Sequence, residues 1–127
     1  MIMLDASVLI AFLDTDDAHH DRATALLSDA ADEDLVIGSL TLAEVLVAPV
    51  RAGRLGVVEE VLDDLELEDR ELPAGAARRL AALRVETGLR MPDCCVLLTA
   101  EDAGARLASF DGRLGDVARR RGVTVLM

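Results

Sequence analysis

Four carboxylates, Asp5, Glu44, Asp93 and Asp111, stand among apolar residues. Asp5 separates Leu4 from the run Val8-Leu9-Ile10, and Asp93 falls between Pro92 and Cys94-Cys95-Val96-Leu97-Leu98. Glu44 lies in a helical pattern that is apolar nearly all round, so it is expected to be buried. Asp111 follows Arg106–Ser109, which reads as a strand. Each acid has a plainer role available. Asp5 and Asp93 suit helix N-caps, Glu44 a structural pair with an arginine, and Asp111 an Asp-Gly turn. Brought together, the four would repel one another unless a divalent cation neutralised them. A set of hard oxygen ligands, with neither His nor Cys, selects Mg²⁺ or Mn²⁺ over Zn²⁺. Such an ion lowers the pKa of a bound water and steadies the leaving oxygen of a phosphodiester.

The elements that must position these acids alternate between short apolar runs and longer helical patterns. Met1–Leu4 reads as a strand and Val8–Leu13 as a short helix. His19–Ala31 is an amphipathic helix with Ala23, Leu26, Leu27 and Ala30 on one face, capped by Asp16 or Asp17. Leu35–Ile37 is a second strand. Ser39 or Thr41 then opens a helix through Val50, and Val57–Leu65 is another. Leu67–Leu72 is a third strand or an extended connection. Pro73 suits the first turn of the helix carrying Leu80, Leu83 and Val85. Asp93–Ala103 is a helix introduced by Pro92. After Arg106–Ser109, Asp116–Arg121 forms a helix capped by Asp116, and Val123–Leu126 closes the sheet. This β–α alternation predicts an open, mainly parallel sheet covered by helices. Asp5 and Asp111 would then share the carboxyl edge of the sheet. Right-handed crossovers start helices on that same edge, which places Asp93 and Glu44 there too.

The length of 127 residues fits one domain, taken as residues 1–127, and 52% hydrophobic content builds a core without disulfides. Only Phe12 and Phe110 are aromatic, so Leu, Val, Ala and Ile fill that core. No apolar run is long enough to span a membrane, and the start lacks the basic region of a signal peptide. Adjacent Cys94 and Cys95 suit neither a disulfide staple nor a zinc site, which points to the reducing cytoplasm. All 13 basic residues are arginine and the formal net charge is −11. A nucleic-acid partner must therefore be met by local positive charge. Arg51, Arg54, Arg84, Arg90 and the tract Arg119-Arg120-Arg121 are candidates. The tract equally suits a helix C-terminus. His19 and His20 read as surface residues at a helix start, with substrate contact as the alternative role.

In order and spacing, these motifs resemble the PIN-domain nucleases. Asp5 with Ser7 resembles their opening strand and first acid, and Thr41-Leu42-Ala43-Glu44 their Thr-x-x-Glu element. Pro92-Asp93 resembles their third acid and Ser109-Phe110-Asp111 their Thr/Ser-x-Asp element. The compact length is similar to VapC toxins of toxin–antitoxin pairs. The resemblance implies a three-layer α/β/α fold whose five strands run in the order 3-2-1-4-5. It also implies Mg²⁺- or Mn²⁺-dependent endoribonuclease activity, a homodimer and a cognate antitoxin. Asp5 and Asp93 would be the main metal ligands, and Glu44 and Asp111 direct or water-mediated ones. Ser7, Thr41 and Ser109 would support them. One departure is that the family often carries an aromatic a few residues after the fourth acid, and Leu114 stands near that place.

Two other acid-site classes fit poorly. A phosphoacceptor receiver domain needs a lysine, and there is none. A haloacid-dehalogenase phosphatase needs Asp-x-Asp, where Asp5-Ala6-Ser7 has serine. The remaining alternative is a non-catalytic module whose acidic pocket takes a partner's arginine.

Overall fold

The computed structural model describes all 127 residues. In chain order the elements are β1 (Ile2–Leu4), α1 (Ala6–Leu13), α2 (His20–Asp29), β2 (Leu35–Gly38), α3 (Ser39–Arg51) and α4 (Leu55–Asp64). They continue as β3 (Glu68–Arg70), α5 (Ala76–Thr87), α6 (Met91–Ala103), β4 (Arg106–Ala108), α7 (Gly112–Arg120) and β5 (Val125–Leu126). The strands form one sheet in the order β3-β2-β1-β4-β5, and every neighbouring pair is parallel. The expected order holds, and the sheet is parallel throughout.

Period-2 alternation along the strands divides the core into two layers. Ile2 and Leu4 of β1, Leu35 and Ile37 of β2, and Ala108 of β4 face a cluster with α1, Ala23, Val45 and Leu62. Met3, Val36 and Leu107 face the opposite cluster, built on α5, α6 and α7. The α/β/α sandwich is thus written in single-residue steps along three short strands. No helix is long and apolar enough to cross a membrane.

Several local expectations differ from the structure. Pro73 precedes α5, whose N-cap is Gly75 at φ +71°; the helix starts later because a left-handed residue must turn the chain into it. The helix α6 starts at Met91 with Arg90 as N-cap and Pro92 in its first turn, so Asp93 is not the cap. The helix α7 starts at Gly112, four residues before Asp116, which is an exposed mid-helix acid paired with Arg119 at 3.4 Å. Gly38, not Ser39 or Thr41, is the N-cap of α3. His19 occupies the cap position of α2, while Asp17 Oδ1 accepts the His19 backbone N–H at 2.8 Å. Leu114, near the place where the resemblance leads one to expect an aromatic, is fully buried in the α6–α7 cluster.

Candidate active site at the carboxyl edge of the sheet

The first turn after β1 and the first turn after β4 are laced together through one carboxylate oxygen. Asp5 N–H donates to Ala108 O at 3.0 Å, which continues the β1–β4 pairing past the strand ends. Asp5 is buried, with 7% of the residue exposed. Its Oδ2 accepts two hydroxyls, Ser7 Oγ and Ser109 Oγ, each at 2.8 Å. Those hydroxyls are fixed in turn. Ser7 Oγ accepts Phe110 N–H and Ser109 Oγ accepts Asp111 N–H, both at 3.0 Å. Asp5 stands at the N-cap of α1 but gives no side-chain cap. Its Oδ1 has no protein donor and is not sealed from solvent.

Asp111 does two things with one carboxylate. It caps α7, with Oδ1 accepting Arg113 N–H at 3.0 Å and Leu114 N–H at 3.1 Å. Oδ2 remains without a protein donor. The cap locks the side chain to the helix start, so the capping and ligating roles are compatible.

Asp93 is half-buried in the first turn of α6. Burial raises its pKa, and the negative charges of Asp111 and Asp5 push the same way, against Arg90 and Arg113. Arg90 Nε lies 3.9 Å from Asp93 Oδ2, but Arg90 is 77% exposed. Such a pair is well screened and only partly offsets the repulsion. Glu44 departs from expectation. It is exposed, as are Leu40, Val47 and Val50 on the same helix, so the apolar α3 is only half covered. Its carboxyl still feels the site: partial desolvation raises its pKa, and Asp5 and Asp93 raise it further. The structural ion pair with an arginine is not formed.

The four predicted acids therefore occupy one edge and share one electrostatic field. Two of the three predicted supporting hydroxyls, Ser7 and Ser109, hold Asp5 directly. Thr41 does not; it is buried at the start of α3, beside a cavity of about 330 Å³ shared with Cys95 and Thr99. No three of the acids stand within common ligating reach of a single ion. The donor set, carboxylate oxygens without His or Cys, fits a hard cation that takes one or two carboxylates and keeps several waters.

Sequence reasoning left substrate contact open at His19 but did not foresee its stack on Phe110. The His19 ring stacks on Phe110 with centroids 4.9 Å apart and 16° between planes, and the Arg22 guanidinium carbon lies 5.7 Å from the Phe110 centroid. The scarcity of aromatics was the available signal, since an aromatic wedged between Ser109 and Asp111 is one of two in the chain. The arginine tract is tied internally. Arg121 pairs with Glu101 at 2.7 Å and Glu86 at 3.2 Å, and Arg119 with Asp116. Arg84 donates to the carbonyls of Gly88 and Leu89.

Residues 2–120 match the PIN-domain family model, and the chain belongs to that family. Among solved structures it is similar to VapBC2 from Rickettsia felis, crystallised with a promoter DNA fragment (19% identity, TM-score 0.75, covering 99% of this chain and 98% of that one). It is similar to VapC20 of Mycobacterium tuberculosis, a sarcin–ricin-loop-cleaving toxin (16%, 0.76, 92% and 95%). It is also similar to FitAcB from Neisseria gonorrhoeae (20%, 0.78, 100% and 97%). At these identities the likeness is one of fold. No curated protein sequence matches the chain.

Proposed function

We propose that this chain is a Mg²⁺- or Mn²⁺-dependent endoribonuclease and the toxin of a toxin–antitoxin pair. The observation that carries this reading is the charge conflict at the sheet edge. Asp5 is clamped through Oδ2 with Oδ1 left open, and the carboxyls of Asp93 and Glu44 are pushed upward by burial and by their acidic neighbours. A divalent cation relieves that conflict and supplies an activated water and a charge sink for a phosphodiester. Asp5 and Asp93 are the main ligands in this reading, and Asp111 and Glu44 act directly or through water. Ser7 and Ser109 hold Asp5 in one rotamer, so the site does not reorganise when substrate arrives.

The exposed stripe Leu40, Val47 and Val50 supports a homodimer, in which a second copy covers α3 and flanks Glu44. A groove of about 320 Å³ lined by Ile10, Leu13, Val45, Ala48 and Val58 offers an apolar seat for an antitoxin segment. The toxin–antitoxin complexes with this fold lend weight to that partner.

The test is cleavage of total cellular RNA by purified, antitoxin-free protein with Mg²⁺, with Mn²⁺ and with EDTA, alongside Asp5→Asn and Asp93→Asn. The expected outcome is cutting that needs metal and is lost in both variants. A folded wild-type protein that cuts nothing across a panel of RNAs would leave the non-catalytic arginine-binding module as the better reading.

A further inference from the structure

We propose that the outer face of His19, backed by Phe110 and flanked by Arg22, is a subsite for one unstacked nucleobase beside the cleaved phosphate. The inference rests on the reading that RNA is the substrate and adds to it the place where one base beside the cut is held.

Phe110 is the aromatic of the catalytic edge; Phe12, the other, belongs to α1 and packs against the core. The Phe110 backbone is pinned by Ser7 Oγ, the same hydroxyl that donates to Asp5. A platform built on Phe110 is thus in fixed register with the acids. His19 extends it. Its ring lies nearly parallel to Phe110, and 47% of its side chain is exposed. Its loop is held by the hydrogen bond from His19 N–H to Asp17 Oδ1. One ring face meets Phe110, Asp17 Oδ1 lies 3.8 Å from Nδ1 at the ring edge, and about half of the side chain stays open to solvent. An aromatic face presented this way stacks any base, because every base has a π-face.

Arg22, three residues on, supplies charge. It lies over Phe110 and has no carboxylate within ion-pair distance, whereas Arg79, Arg106, Arg119 and Arg121 are paired with acids. In a chain of net charge −11, a cation without an ion pair beside Phe110 is suited to the phosphate adjoining a stacked base. Packing of the α2 loop onto the core explains why Phe110 is half-buried. It does not require the open His19 face or the unpaired cation. A base inside a duplex cannot reach such a platform; a splayed base in a loop or single strand can.

The test uses short single-stranded RNAs with 2-aminopurine walked through each position, mixed with protein in Mg²⁺. Fluorescence quenching reports stacking, and gels report cutting. Wild type should quench the probe at one position, the one next to the cut. His19→Ala should lose the quench and weaken binding about tenfold, with an unchanged melting temperature. His19→Phe should keep the quench. On RNA abasic at that position, wild type and His19→Ala should bind alike. Equal quenching by wild type and His19→Ala, or an equal His19→Ala loss on abasic and intact RNA, would overturn the subsite. So would absence of any quench by wild type. Quenching that depends on His19 without any cutting would sustain the subsite and defeat the nuclease reading.

Discussion

Replacing Ser109 with alanine removes one oxygen and unsettles two acids. Ser109 is fully buried. Its hydroxyl donates to Asp5 Oδ2 at 2.8 Å and accepts Asp111 N–H at 3.0 Å. A hydrogen bond to a charged group contributes about 1.5–3 kcal/mol. The orphaned N–H adds a smaller cost, because Asp111 is half-exposed and water can reach it. Ser109→Ala should therefore destabilise the protein by ~3 kcal/mol, a substantial part of a domain's total stability. For 127 residues each kcal/mol moves the midpoint by about 4 °C, so the melting temperature should fall by ~10 °C. Ser7 donates to the same oxygen at 2.8 Å but is half-exposed, so Ser7→Ala should cost less. The double variant should cost more than the two single losses together, because only then does Oδ2 lose both hydroxyl donors. Calorimetric melting in EDTA measures all three. A Ser109→Ala midpoint within about 1 °C of wild type would refute the reasoning, since Oδ2 would then be solvated without its clamp.

Three further outcomes follow from the same geometry. Asp93→Asn should raise the melting temperature of metal-free protein at neutral pH. The native carboxyl has a raised pKa, so it holds its proton more tightly than the unfolded one, and wild-type stability falls as pH climbs from 3.8 through the raised value. The advantage of the variant should vanish below pH 3.8, and Mg²⁺ should stabilise wild type more than the variant. Leu114→Phe puts a larger ring into a fully buried position and should cost ~1–3 kcal/mol in urea unfolding. Gly88→Ala combines a φ of +71° with a new Cβ 3.1 Å from Arg113 Nη2. It should cost ~1–2 kcal/mol for the backbone plus the Arg113 displacement, while Gly104→Ala, at φ +62° in open space, should show the backbone part alone.

The acids were legible because each interrupts an apolar pattern at a predictable end of an element. Asp5 follows three buried residues, and Asp111 stands one residue past the buried Leu107-Ala108-Ser109. Glu44 was legible as a member of the set but not in its surroundings. The helix wheel makes α3 apolar nearly all round, which implies burial; in the monomer Leu40, Val47 and Val50 are exposed and Glu44 with them. An apolar face says only that something covers it, and the cover is not encoded within the helix. The caps of α5, α6 and α7 were missed for a related reason. Pro73, Asp93 and Asp116 all suit a helix start, and local propensity alone cannot choose among neighbouring starts.

The sequence by itself determined an open, mainly parallel sheet covered by helices, because short apolar runs alternate with longer helical patterns. The strand order came from the resemblance, and the structure shows which strand residues face which layer. The sequence also put the acids at one edge, since parallel strands with right-handed crossovers bring Asp5, Asp111 and the helix starts there. Only the tertiary structure decided how they are held. Ser7 and Ser109 lie far apart in the chain and donate to the same oxygen of Asp5, and His19 finds Phe110 across the cleft rim. Those pairings depend on the register of β1 against β4 and on where the α2 loop settles. Side-chain distances of 2.8 Å are set by packing in three dimensions, and no one-dimensional pattern carries them.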